Sequence, residues 1–89
     1  MMNYDPEEYQ KIVTVKDRYK DQLLKKANVV GVGVGRRKVT GELTNRLVLV
    51  VMVEKKVPVA QLDPQDVLPK ELEGVSVDVQ EMGKIKAQT

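Results

Sequence analysis

The sequence predicts an α+β fold in which a long N-terminal helix packs on a three-stranded, mainly antiparallel sheet. Three observations lead there. Residues 6–27 carry apolar side chains at helical spacing. Residues 28–58 hold two apolar runs on either side of Thr40-Gly41-Glu42, and Val75, Val77 and Val79 alternate with Ser76, Asp78 and Gln80.

The helix, about 6–27, has a well-marked start. Asp5 can accept a hydrogen bond from a free N–H of the first turn, Pro6 suits a position that needs no donor, and Glu8 stands near the positive end of the dipole. Tyr9, Ile12, Val13, Tyr19, Leu23 and Ala27 recur at three- and four-residue steps. Glu7, Lys11, Asp17, Arg18, Lys20 and Asp21 fall mostly elsewhere, so one face should pack on the sheet. Lys25 and Lys26 fit the last turn, where cations suit the negative helix end, and Asn28 suits the exit.

Two strands follow, about 29–39 and 43–55. If Gly41-Glu42 forms a two-residue loop, Thr40 faces Leu43, Gly33 faces Val50 and Val32 faces Val51. One face of the hairpin then carries Val30, Val32 and Val34 with Leu47, Leu49, Val51 and Val53. The other carries Gly31, Gly33 and Gly35 with Val48, Val50 and Met52, and its glycines offer a trough in which a helix can sit closely. Pro58 cannot donate to a ladder, so Lys55-Lys56-Val57-Pro58 ends the second strand.

Short helical turns are expected over about 58–72, opened by Pro58 and by Asp63-Pro64. Val59, Leu62, Val67, Leu68 and Leu72 should cover the hairpin face that the long helix leaves open. Gly74 ends that pattern, and residues 75–81 form the third strand. A link of about 20 residues is long enough for a crossover, so this strand is expected beside the first and antiparallel to it, giving the order 2-1-3. Residues 84–89 form a short polar tail, expected to fray or to lead into something further. Residues 1–89 are read as one small domain.

Composition narrows the chemistry. The chain has 89 residues, 42% hydrophobic and 31% charged, with three Tyr and no Phe or Trp, so its core must be aliphatic. It has no Cys and no His, which excludes disulfides, thiol chemistry, zinc sites of the Cys/His kind and imidazole catalysis. A net charge of +2 is small for a dedicated nucleic-acid binder. The N-terminus shows no basic region followed by an apolar stretch. The longest apolar run, residues 47–53, falls far short of the roughly 20 residues that span a bilayer. A soluble, cytoplasmic protein without membrane partners is expected.

Gly31-Val32-Gly33-Val34-Gly35 has neither the dinucleotide nor the P-loop spacing, and strand rather than helix should follow it. Arg36, Arg37, Lys38 and Arg46 should gather toward the hairpin turn, and Lys25, Lys26, Lys55 and Lys56 toward the other end. Tyr4, Tyr9 and Tyr19 lie away from both clusters, so stacking platforms for nucleic acid are lacking, and solubilising charge beside an apolar strand explains the lysines and arginines better. Carboxylate pairs at Glu7/Glu8 and Asp63/Asp66 fit helix capping, and Glu71/Glu73 approaches a turn. Ser76 has no His to activate it. No cofactor or metal site is read from these residues, and no catalysis.

The segment Asn28-Val29-Val30-Gly31-Val32-Gly33-Val34-Gly35, the run over 47–53, Glu54-Lys55-Lys56-Val57-Pro58, Leu68-Pro69 and Gly74-Val75-Ser76-Val77-Asp78-Val79 together resemble a known unit. It is the N-terminal segment found ahead of trypsin-like peptidase modules in certain bacterial proteins. The resemblance implies a non-catalytic accessory unit, either free-standing or cut from something longer; in that family the catalytic residues belong to the peptidase part, which would begin after residue 89.

These readings point to an interaction or assembly module. The second strand, expected at a sheet edge, would carry the contact through Leu47, Leu49, Val51 and Val53, pairing with a second copy or a partner protein. A homodimer or higher assembly is expected. The alternative is polyanion or nucleic-acid binding through the two basic clusters.

Overall fold

The computed structural model describes residues 5–83; the tail read at 84–89 and Tyr4 lie outside them. Helix α1 (Pro6–Leu24) is followed by strands β1 (Val29–Val39) and β2 (Glu42–Val53). Two 3-10 turns, Val59–Gln61 and Pro64–Asp66, then lead to β3 (Glu71–Leu72) and β4 (Val75–Glu81). The result is an α+β fold with one N-terminal helix on a four-stranded mixed sheet of order β1-β2-β4-β3.

Asp5 caps α1 as its sequence position suggests, its Oδ1 accepting from the Glu7 N–H at 2.9 Å, with Pro6 in the first turn. The helix stops about one turn before Ala27. The Ala27 N–H, which a longer helix would direct to the Leu23 carbonyl, donates instead to Asp66 Oδ1 at 2.9 Å. Asn28 then turns the chain at φ 75°, a conformation Asn tolerates better than most residues. Lys25 is therefore the C-cap and Lys26 lies beyond it, rather than both in the last turn. Ile12, Val15 and Leu23 are buried, with Tyr19 packed against them. Val15 belongs to this stripe, whereas Val13 is only half-buried and Tyr9 is 39% exposed.

The hairpin has the expected register where it matters, for a different reason. Gly33 faces Val50 and Val32 faces Val51, yet the loop is Thr40-Gly41, with Val39 facing Glu42. Thr40 and Gly41 both have positive φ, 51° and 81°, the pattern of a type I′ turn whose twist suits a hairpin. Moving the loop by one residue shifts every pair by two. A bulge cancels this: between Arg36↔Leu47 and Lys38↔Leu43, Thr44, Asn45 and Arg46 oppose Arg37 alone. The Thr44 hydroxyl donates to the Arg37 carbonyl at 2.9 Å and accepts from the Arg46 N–H at 3.3 Å, closing the bulge.

The third long strand departs from the predicted order 2-1-3. Strand β4 runs antiparallel to β1, as expected, but lies beside β2 and parallel to it, with Leu49↔Val77 and Val51↔Val79, and a two-residue β3 forms a fourth strand. Placed beside β1, β4 would leave the most apolar strand of the chain as a bare edge. Placed beside β2, it brings Val75 and Val77 into one core with Leu47, Leu49, Val51, Val53, Ile12, Val15 and Leu23. The connection is also displaced from its expected position. Leu68 and Leu72 pack against this same core, so the 3-10 turns share the face of the sheet that α1 occupies.

Among the described residues no helix lies on the opposite face. Polar side chains of β4 reach across β2 to the main chain of β1. Asp78 Oδ2 accepts from the Lys38 N–H at 2.8 Å, and Gln80 Nε2 donates to the Arg36 carbonyl at 3.0 Å and to Asp78 Oδ2 at 3.0 Å. Arg37 Nη1 lies 3.8 Å from Asp78 Oδ1. Beneath this strap Val48 is wholly buried and Val50 is 6% exposed.

The β3–β4 turn, Glu73-Gly74, also has positive φ at both residues, 51° and 81°. Glu73 pairs with Arg18 of α1, which clasps the turn to the helix. The Arg18 hydrogen bond, then that of Tyr19, holds the Glu73 carboxyl below the usual carboxylate range; hydrogen bonding to Glu73 likewise raises the Tyr19 phenol. With the folded pKa of Glu73 below the unfolded one, the clasp contributes fully above the unfolded value and is lost as pH falls through the folded value. Urea midpoints measured on acidification should therefore fall more steeply for the wild type than for Glu73→Gln, whose side chain does not titrate.

Candidate functional site

Among the described residues, the sheet order leaves one rim of β1 without a neighbouring strand. Between its two irregularities β1 pairs with β2 unbroken, from Gly31↔Met52 to Arg36↔Leu47. Val30, displaced from the ladder by the first irregularity, is 41% exposed. This rim offers a straight run of backbone donors and acceptors on its outer side.

Its two faces differ. Val32 and Val34 pack under α1. The glycine face, expected to seat a helix, is filled instead from β2: an added Cβ at Gly31 would stand 2.9 Å from Met52 Cε, and one at Gly35 would stand 3.0 Å from Val50 Cγ2. A furrow of about 450 Å³ is bordered by Gly33, Gly35, Met52 and Gln80 and also by Tyr9 of α1 and by Val34 and Leu47 of the other face.

The side chains expected at a sheet edge lie in the core. Leu47, Leu49, Val51 and Val53 are 7, 0, 0 and 3% exposed, because β2 has β1 on one side and β4 on the other. The edge that sequence reasoning assigned to β2 belongs to β1.

Arg36, Arg37, Lys38 and Arg46 do gather around the bulge, but Asp78 sits among them and engages Arg37 and the Lys38 main chain, while Arg46 Nη2 donates to Ser76 Oγ at 3.2 Å. At the other end Lys26 Nζ donates to the Gln65 carbonyl. The Lys55 main chain is held at both its N–H and its carbonyl by the Asn28 side-chain amide, and the Lys56 N–H donates to Glu81 Oε1 at 2.7 Å. Lys25 is exposed at the helix end.

Sequence reasoning passed over Asn28, Asp66, Asp78 and Gln80 as organisers of these ends. Asn at a helix exit was the one available signal; Asp78 and Gln80 looked like the wet side of a half-buried strand. Of the carboxylate pairs, Glu7, Glu8, Asp63 and Glu71 are exposed, Asp66 is bound to Ala27 and Glu73 to Arg18. Among the described residues no group of three or more acidic side chains could hold a metal ion, and no helix is long and apolar enough to cross a membrane.

Residues 9–81, from the first turns of α1 to the end of β4, match the NARROW LEAF 1 N-terminal domain family. The chain belongs to this family. That assignment, to a plant family, overturns the resemblance to the segment ahead of trypsin-like peptidase modules in bacterial proteins. The resemblance rested on alternating glycines, a β run and a proline turn, and here those residues form a hairpin and its exit, features that many sheets require. No curated protein matches the chain significantly.

In this NARROW LEAF 1 N-terminal domain the glycine face makes a contrast that urea denaturation can check. Gly31→Ala meets only the flexible tip of Met52, and relief of the roughly 0.5–1 kcal/mol entropic cost of a strand glycine should leave it within about 0.5 kcal/mol of wild type. Gly35→Ala meets buried, β-branched Val50, whose χ1 is stiff, and should destabilise by about 1–3 kcal/mol.

Proposed function

We propose that this domain is a non-catalytic interaction and assembly module that adds a strand at the free rim of β1, from a second copy or from a partner protein. The observation that carries the reading is the unbroken stretch over residues 31–36. It has a regular ladder on its inner side and, among the described residues, no strand on its outer side. Its flanks are guarded by the Arg36-Arg37-Lys38 cluster and by Val30 outside the ladder, which confines pairing to the middle. Three of its carboxylates are engaged in structure: Asp66 on Ala27, Asp78 on Lys38 and Glu73 on Arg18.

Polyanion binding is the lesser reading. Asp78 stands inside one basic cluster, and Asp66 and Glu81 stand against the other. Such binding would weaken steeply with added salt.

Light scattering and amide hydrogen exchange across a wide concentration range test the assembly. The mass should rise from the 10.0 kDa chain toward twice that value. Amides within 31–36 should gain protection as it does, while those of β2 and β4 stay slow throughout. Val30→Lys should raise the dissociation constant at least about tenfold without lowering the urea midpoint of the monomer. A single-chain mass at every concentration, or protection gained elsewhere, would overturn self-association through this rim.

A further inference from the structure

A second opening lies beneath the connection from β2 to β3. None of residues 54–70 is buried, although they include Val57, Val59, Leu62, Val67 and Leu68, and Val59 is 67% exposed. Below them Val53, Val77 and Val79 floor a cleft of about 330 Å³, at the lower end of the roughly 300–1,000 Å³ typical of small-molecule sites. The cleft lies near the carboxyl ends of the parallel pair β2 and β4, where open sheets with crossovers commonly take ligands.

Its walls are tied in place. Asp66 Oδ1 accepts from the Ala27 N–H, Lys26 bonds the Gln65 carbonyl, and Asn28 grips Lys55, so the connection is fastened to the helix exit at both of its ends. Lys55, Lys56 and Lys70 also line the cleft. Their ammonium groups make no ion pair or hydrogen bond among the described residues. The one acid of the lining, Asp66, is already engaged by Ala27. An aliphatic interior beneath a rim that stays net cationic, with three lysines against Asp66 and the nearby Glu81, is complementary to a molecule with a hydrocarbon body and a single anionic end.

We propose that this cleft binds a medium-chain aliphatic carboxylate, its chain between Leu62 and Val53, Val77 and Val79, and its carboxylate at the lysine rim. The site shares no residue with the rim of β1 and goes beyond the assembly reading.

Decanoate, decanol and acetate, titrated into the full chain and followed by calorimetry and by amide and methyl NMR, separate the contributions. Decanoate should bind saturably, with shifts centred on Val53, Leu62, Val77 and Val79. Decanol should bind at least tenfold more weakly, and acetate should not saturate. Combined Lys55→Gln, Lys56→Gln and Lys70→Gln should reduce decanoate to the affinity of decanol and leave decanol unchanged. Leu62→Glu should abolish binding of both with the urea midpoint preserved. Absence of saturable decanoate binding, equal affinity for decanol, or shifts confined to the glycine face would overturn the proposal. So would self-association that Leu62→Glu abolishes, since a second copy would then be the occupant.

Discussion

Residues 47–53 send apolar side chains to both faces of the sheet, and the one α-helix among the described residues can cover only one face in the usual way. Each Val or Leu withdrawn from water is worth about 1.5–3 kcal/mol, so leaving half of this strand wet would forfeit much of the stability a small domain can muster. The arrangement of the other elements follows from that constraint. Helix α1 and the connection share one face, β1 and β4 close the two rims of β2, and Asp78 and Gln80 bridge the remaining face.

That bridge substitutes hydrogen bonding for a second helical layer. The bulge after Arg36 breaks the β1–β2 ladder and leaves main-chain groups of β1 in need of partners; Asp78 and Gln80 supply them from two strands away. Leaving the part-buried Arg36 carbonyl unpaired would cost about 1–3 kcal/mol, whereas the Lys38 N–H, in an exposed residue, could turn to water. Among the described residues every buried side-chain nitrogen and oxygen has a partner, so the strap seals Val48 and Val50 without leaving an orphaned polar atom. Bulge and strap therefore act together: the irregularity creates the demand that the β4 side chains meet.

Local signals in the sequence were legible and long-range ones were not. Although Val30 leaves the valine face and Gln80 is buried where the alternation places it on the polar side, the Asp5-Pro6 start, the two hairpin runs and a strand over 75–81 each appear in the structure, and each rests on neighbours within a few positions. The place of β4 does not, because its alternating pattern suits either rim of the hairpin, and only the burial of β2 on both sides decides between them. The C-terminal limit of α1 was misread because Asp66, far along the chain, takes the Ala27 N–H. Compensating offsets concealed a further error, since the loop lies one residue earlier than expected and the bulge restores the pairing. The edge assigned to Leu47, Leu49, Val51 and Val53 moved to β1 for the same reason that β4 moved to β2.

Asn28 supplies both halves of a peptide group from its side chain, donating to the Lys55 carbonyl and accepting from the Lys55 N–H, so it acts as one extra rung beyond the first paired residue of β1. That mimicry is sensitive to a single-atom change. Aspartate at this position would replace the donating nitrogen by an anionic oxygen and set it against the Lys55 carbonyl. The joint between helix exit and strand end therefore hangs on one nitrogen atom.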